Sequence, residues 1–223
     1  MSTAAISREP VLPIVGVGLY TIGDAARLLG RHFNTVRSWV RQGLAPAPVH
    51  LVYGETTILS FHDLISLMIV RRLRDEGVTL EHIRNAEEYL RRAWNFQRPF
   101  ATQRIMTNGN SVILALEEGG FTAADRLGQE FFADIVGELL RDVTYDALTE
   151  LANCWRPRAE ISLKPDVQFG QPCVVGTRLT TRTLAELVHA GDTPALIAET
   201  YSVSVKDVNA AVLFEEDLLR KAA

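Results

Sequence analysis

The chain has 223 residues, 47% hydrophobic and 22% charged, which is long enough for one large unit or a few small ones and too apolar for a disordered chain. A formal net charge of -4 and a pI near 5.8 argue against a globally basic nucleic-acid or membrane binder, so any basic site must be local. Cys154 and Cys173 are far apart and outside any Cys/His pattern, and no apolar run reaches the roughly 18 to 20 residues that cross a bilayer. No metal site, disulfide framework or membrane segment is therefore expected, and a reducing cytoplasm is the expected location.

Residues 1–18 read as a loose lead, punctuated by Pro10 and Pro13. In L-Y-T-I-G-D-A-A-R-L-L-G, Thr21 is placed to cap a helix whose Ile22, Ala25, Ala26 and Leu29 share one face, and Gly30 is placed to stop it. After a short turn, N-T-V-R-S-W-V-R-Q-G reads as a second helix ending at Gly43, with Val36, Trp39 and Val40 turned inward and Asn34, Thr35, Arg37, Ser38 and Arg41 outward. Two β-branched runs around Y-G-E-T predict a hairpin wing. Ser60 and Asp63 form a capping box for a helix broken by Gly77, and Thr79 caps another that runs to about Arg98.

From Pro99 the texture changes. Asn108-Gly109 between apolar runs predicts a hairpin that takes in R-I-M-T, and Thr122 with Asp125 predicts an amphipathic helix bearing Leu127, Phe131, Ile135, Val136 and Leu139. A connecting segment with Trp155 and Pro157 leads to a final unit with short extended pieces near Val167 and Val174. Its three helix starts are marked by the box Thr183/Glu186, by Thr193-Pro194 and by the box Ser204/Asp207. The reading is a mainly α chain with two small β pieces: 1–18 lead, 19–98 winged helix-turn-helix, 99–158 connecting or dimerisation segment, and 159–223 a three-helix unit.

Nucleotide and enzyme chemistry find little support. Gly16-x-Gly18 lacks a third glycine, and G-T-R at Gly176 to Arg178 lacks the lysine that a phosphate loop requires. Gly176 is read as a tight-turn position. Arg178 has two readings, a structural ion pair or a partner-contacting cation. The histidines (His32, His50, His62, His82 and His189) are scattered, so neither catalysis nor a cofactor is expected. DNA binding fares better: Arg31, Arg37 and Arg41 surround the second helix, with His32, Asn34, Thr35 and Ser38 as hydrogen-bonding groups. Such cations neutralise phosphates, and Asn and Arg read base edges in the major groove.

Over Leu19 to Ile83 the chain resembles MerR-type regulators: Y-T-I-G-D-A-A-R-L-L-G matches their first helix, N-T-V-R-S-W-V-R-Q-G-L their recognition helix, and I-L-S-F-H-D-L-I their entry into the post-wing helices. The resemblance implies DNA contacts from Thr35, Arg37 and Arg41, and from the wing aromatic Tyr53. Arg31 and His32 stand where that family has a small apolar residue and a hydroxyl.

Over Glu160 to Leu219 the chain resembles small antitoxin domains of VapB type, whose pattern G-x-P-x-x-x-G-T-R is met by Gly170, Pro172, Gly176, Thr177 and Arg178. That resemblance implies an antitoxin that neutralises a PIN-like ribonuclease toxin and represses its own operator. It assigns toxin contact to the C-terminal half, where Arg178, Arg182, Arg220 and Lys221 are the basic candidates; the last two read first as a solvated tail. A stand-alone MerR-like regulator is the alternative. Because one short recognition helix covers few base pairs, a homodimer is expected, with Leu80–Trp94 and Leu127–Leu140 as interface helices.

Overall fold

Each of the first four helices begins where a side chain accepts from one of its free amides. In the computed structural model, which describes residues 17–44, 49–50, 57–107, 137–138 and 140–222, α1 (Ile22–Leu29) starts from a capping box. Thr21 Oγ1 accepts from the Asp24 amide at 3.0 Å, and the Asp24 carboxylate accepts from the Thr21 amide at 3.1 Å. Gly30, at φ 60°, ends α1 in the left-handed region. Then α2 (Phe33–Arg41) is capped by His32, whose Nδ1 accepts from the Asn34 amide at 3.2 Å.

The Ser60/Asp63 box opens α3 (Phe61–Asp75), and Thr79 opens α4 (Leu80–Trp94). The latter stops at a left-handed Asn95, short of the expected Arg98. Three short antiparallel strands, β1 (Tyr20–Thr21), β2 (Val49–His50) and β3 (Thr57–Leu59), pair in the order β1-β3-β2. The last two are the expected wing strands, whereas β1 was hidden within a helix start.

The middle of the chain corrects the sequence reading. Arg104–Thr107 is a turn of helix, α5, and not the first arm of a hairpin. It follows a 3-10 turn at Pro99–Ala101 whose Pro99 and Phe100 are buried, so tertiary packing outweighs local strand propensity there. Asn108, Gly109 and the helix start at Thr122 lie outside the described residues, as do Leu127 and Phe131.

The supposed connection near Trp155 is sheet. Strands β4 (Val143–Tyr145), β5 (Ala152–Arg158), β6 (Ile161–Leu163) and β7 (Cys173–Val174) form an antiparallel sheet in that order. Pro157 lies within β5, although a proline cannot donate to a ladder. The ladder accommodates it with a register shift between Trp155 and Arg158. Val167 has the expected extended backbone, at φ -113° and ψ 120°, but lies outside the sheet as the residue before a 3-10 turn at Gln168–Gly170.

Helices α6 (Thr181–His189), α7 (Pro194–Tyr201) and α8 (Val205–Ala222) complete the fold. The cap of α6 is Thr180, whose Oγ1 accepts from the Thr183 amide at 3.2 Å, so the expected Thr183 box is displaced by one turn. Thr193 caps α7, and Ser204 with Asp207 forms the expected box at α8.

One hydrophobic core joins the two ends of the chain. Tyr20, Ala25, Leu29, Val36 and Trp39 pack in a single cluster with α3, with Ile161 and Leu163 of β6, and with Phe214 and Leu218 of α8. A smaller cluster of Val174, Leu184, Ile197, Val208 and Ala211 fills the three-helix unit. Polar bonds reinforce the junction: Tyr20 Oη donates to Gly170 O at 2.6 Å, and the Leu19 amide donates to Phe169 O at 2.8 Å. Burial of Phe214 and Leu218 contributes at most about 1.5–3 kcal/mol each. The apolar face of α4 also works within the chain, since Ile83, Ala86 and Leu90 are fully buried. That stripe is not free for a second copy.

Candidate nucleic-acid interface

Helix α2 is anchored by two residues and presents the rest. Val36 and Trp39 are 0% and 4% exposed, while Asn34, Arg37, Ser38 and Arg41 are exposed and Thr35 is half-buried. These are the residues expected to face outward. The spacing of Arg37 and Arg41 puts both guanidinium groups on one side of the helix. Residues 33–41 contain no carboxylate, and among the described residues neither arginine is held in a salt bridge. Two cations that no described carboxylate neutralises make a local positive face on an acidic protein.

The other predicted residues have different duties. Arg31 is paired with Asp75 at the end of α3, so a carboxylate of the protein already meets its charge at the surface. His32 is the α2 cap, and Ser38 Oγ accepts from Gln42 Nε2 at 2.9 Å. An open groove of about 610 Å³ runs beside α2, lined by Asn34, Thr35 and Ser38 on one side and by Arg31, Arg74 and Asp75 on the other. Arg74 is fixed there by donating to Val78 O at 2.6 Å. Tyr53 lies outside the described residues.

Sequence reasoning missed Phe33, which is 46% exposed at the first position of α2, and it missed Arg74 and Asp75. An apolar residue at a helix start was open to view. That the end of α3 meets α2 was not, because nothing in either segment marks the encounter.

The C-terminal motif serves the fold. Gly170 has φ 86°, and a Cβ there would lie 2.2 Å from Tyr20 Oη. Pro172 O accepts from the Thr181 amide at 2.9 Å. Gly176 takes φ 80°, as its reading as a turn position requires. Thr177 Oγ1 donates to Val174 O and accepts from the Leu179 amide, both at 3.0 Å, which closes the turn.

The carbonyl of Arg178 accepts from Gln168 Nε2 at 2.8 Å. Its guanidinium is exposed and, among the described residues, closes no salt bridge, so the structural ion pair considered for it is not formed. The basic residues expected to act together are dispersed. Arg182 lines a crevice with Glu215 and Leu218, Arg178 lines a separate groove, and Arg220 is held by Asp217 at 2.9 Å. Lys221 lies in α8, with its side chain outside the description.

Two further groups are structural. Burial pushes the Cys173 thiol up to about 11, which makes it a small hydrophobe and a poor nucleophile. Burial likewise lowers the pKa of His62, whose Nε2 is 3.0 Å from Ala152 O. Among the described residues no helix is long and apolar enough to cross a membrane.

Known proteins sharpen this picture. Residues 20–90 match the model of the MerR HTH family regulatory proteins, and residues 161–214 match that of a protein family of unknown function, DUF433. The chain is 25% identical over 210 residues to the uncharacterized protein Rv2308 of Mycobacterium tuberculosis, covering 87% of this chain and 88% of that one. It shares its fold with the crystal structure of Rv2018 from the same organism, with a TM-score of 0.71 and 21% identity over 89% of this chain and 98% of the other. The chain is thus similar to MerR-type regulators over the stretch that carries the exposed face of α2, and to a family of unknown function over the stretch that contains the G-T-R turn.

Proposed function

We propose that the protein is a non-enzymatic repressor that binds its own operator through α2 and meets a protein partner, a PIN-like ribonuclease toxin, through its C-terminal half. The observation that carries the DNA half is the pair of exposed guanidinium groups of Arg37 and Arg41, in no salt bridge among the described residues, on a carboxylate-free helix anchored by Val36 and Trp39. Phosphate contacts from such a face supply affinity, and Asn34 and Thr35 are the groups placed to read base edges. A symmetric operator and a dimer follow, since a single α2 spans too few base pairs for useful specificity.

The toxin half rests on the resemblance of Gly170 to Arg178 to the antitoxin pattern. Exposed Arg178 and Arg182 are its candidate contacts with an acidic, metal-binding nuclease cleft. Because Phe214 and Leu218 belong to the same core as Tyr20 and Leu29, cutting the chain near Glu160 would open that core. The test therefore uses the full chain. DNA upstream of its own reading frame should be retarded by the protein at nanomolar to micromolar concentration, and a small nuclease encoded beside it should copurify. Retardation without copurification leaves a regulator with no toxin; no retardation of that DNA overturns the operator reading.

A further inference from the structure

The sequence of the G-T-R turn lacks the lysine that a phosphate-binding loop carries just after its glycines. The fold supplies one from elsewhere. Lys164, at the exit of β6, lines an open groove of about 430 Å³ together with Ser162, Val167, Gly176, Thr177 and Arg178. Ser162 and Lys164 are two residues apart along an extended segment and so face the same way.

Among the described residues, the groove is lined by donors and by no carboxylate. Lys164 and Arg178 are both exposed and, among the described residues, neither is in a salt bridge, whereas nearby Lys206 is taken by Glu160 at 2.7 Å and Arg158 by Asp217. Asp166 does not line the groove. The Ser162 side chain adds a hydroxyl on a residue that is 6% exposed. Thr177 already uses its hydroxyl to fix the turn, which holds Gly176 and Arg178 in place. At Gly176 a Cβ would meet nothing within 4 Å, so its missing side chain leaves the backbone approachable.

We propose that this groove binds a phosphoryl group, with Lys164 and Arg178 as the paired cations and Ser162 as a hydrogen-bond donor. Its volume suits a small phosphate ester better than a lone ion. A nucleic-acid backbone offers the same chemistry, and the experiment separates the two sources. The proposal does not rest on the operator reading, which uses α2.

Pyrophosphate is the probe, titrated into the full chain at constant ionic strength against chloride and followed by amide shifts. Saturable shifts are expected at Ser162, Gly176 and Thr177. Lys164→Gln and Arg178→Gln should each weaken binding about tenfold, the equivalent of one charge-assisted hydrogen bond, while Arg92→Ala, an exposed arginine on α4, leaves it unchanged. Both groove side chains are exposed, so a matching thermal midpoint checks that the variants fold. The proposal is overturned if the groove amides do not saturate, or if the double variant binds as tightly as the native chain. With pyrophosphate binding established, the double variant's effect on DNA binding identifies the source. A log-log salt slope shallower by about two units assigns the groove to a nucleic-acid backbone, and an unchanged slope assigns it to a small phosphate ester.

Discussion

Replacing Tyr20 by Phe removes one hydroxyl from the junction between the two ends of the chain. Tyr20 is 2% exposed, and its Oη donates to Gly170 O at 2.6 Å. The ring stays in place, so the loss is the hydrogen bond plus a carbonyl left without that partner, together about 1–2 kcal/mol. For a chain of this length that lowers the thermal midpoint by about 2–4 °C per kcal/mol. Gly170→Ala should be worse. Its Cβ would lie 2.2 Å from Tyr20 Oη and 2.8 Å from Cζ, at a φ of 86° that L side chains rarely adopt, which together cost about 2–5 kcal/mol.

The two changes share an atom and should not add: Tyr20→Phe removes the nearest clash, so the double variant should lie above the sum of the singles. Urea titration followed by tryptophan fluorescence reads all three. A single cooperative transition is expected, because Phe214 and Leu218 share the core of Tyr20 and Leu29. Two separated transitions, or a Tyr20→Phe variant as stable as the native chain, would refute the junction as described.

Other substitutions probe other parts of the frame. Thr180→Ala should cost about 1 kcal/mol by removing the α6 cap, and Thr183→Ala less, a ranking that denaturation measures directly. Asp63 is fully buried and accepts from Arg98 Nε at 2.5 Å, so Asp63→Ala should cost about 3–5 kcal/mol and show as a large drop in urea midpoint. Glu87 is raised to about 7 because burial outweighs the Arg91 guanidinium at 3.1 Å. The folded state then holds a proton that the unfolded state releases, so between pH 4.5 and about 7 this group's contribution to stability falls as pH rises. Glu87→Gln should flatten that part of the stability–pH curve, and an unchanged curve would contradict it.

What was legible in the sequence was local. The caps at Thr21, Ser60, Thr79, Thr193 and Ser204 and the stops at Gly30 and Gly77 are set by chemistry within a few residues, and the structure places them as read. The inward Val36 and Trp39 and the outward Arg37 and Arg41 follow from helical period alone. What was not legible depends on distant partners. Strand β5 carries a proline and no clean alternation, and it exists because β4 and β6 flank it. Arg104–Thr107 is helical because the preceding turn buries Phe100. The pairing of Arg31 with Asp75, the bond from Tyr20 to Gly170 and the meeting of Lys164 with Arg178 each join residues with no shared motif.

The central claim, that α2 is the DNA-binding face, is tested most directly by the salt dependence of operator affinity in Arg37→Ala and Arg41→Ala. Fluorescence anisotropy on the DNA upstream of the reading frame, repeated across a salt series, gives the log-log slope for each variant. Binding should be weaker in both. The slope should be shallower by about one unit for each lost phosphate contact, or a base contact's worth of about 1–3 kcal/mol should be lost, with a native thermal midpoint in each case. Unchanged affinity and slope in the double variant would place the DNA surface somewhere other than α2.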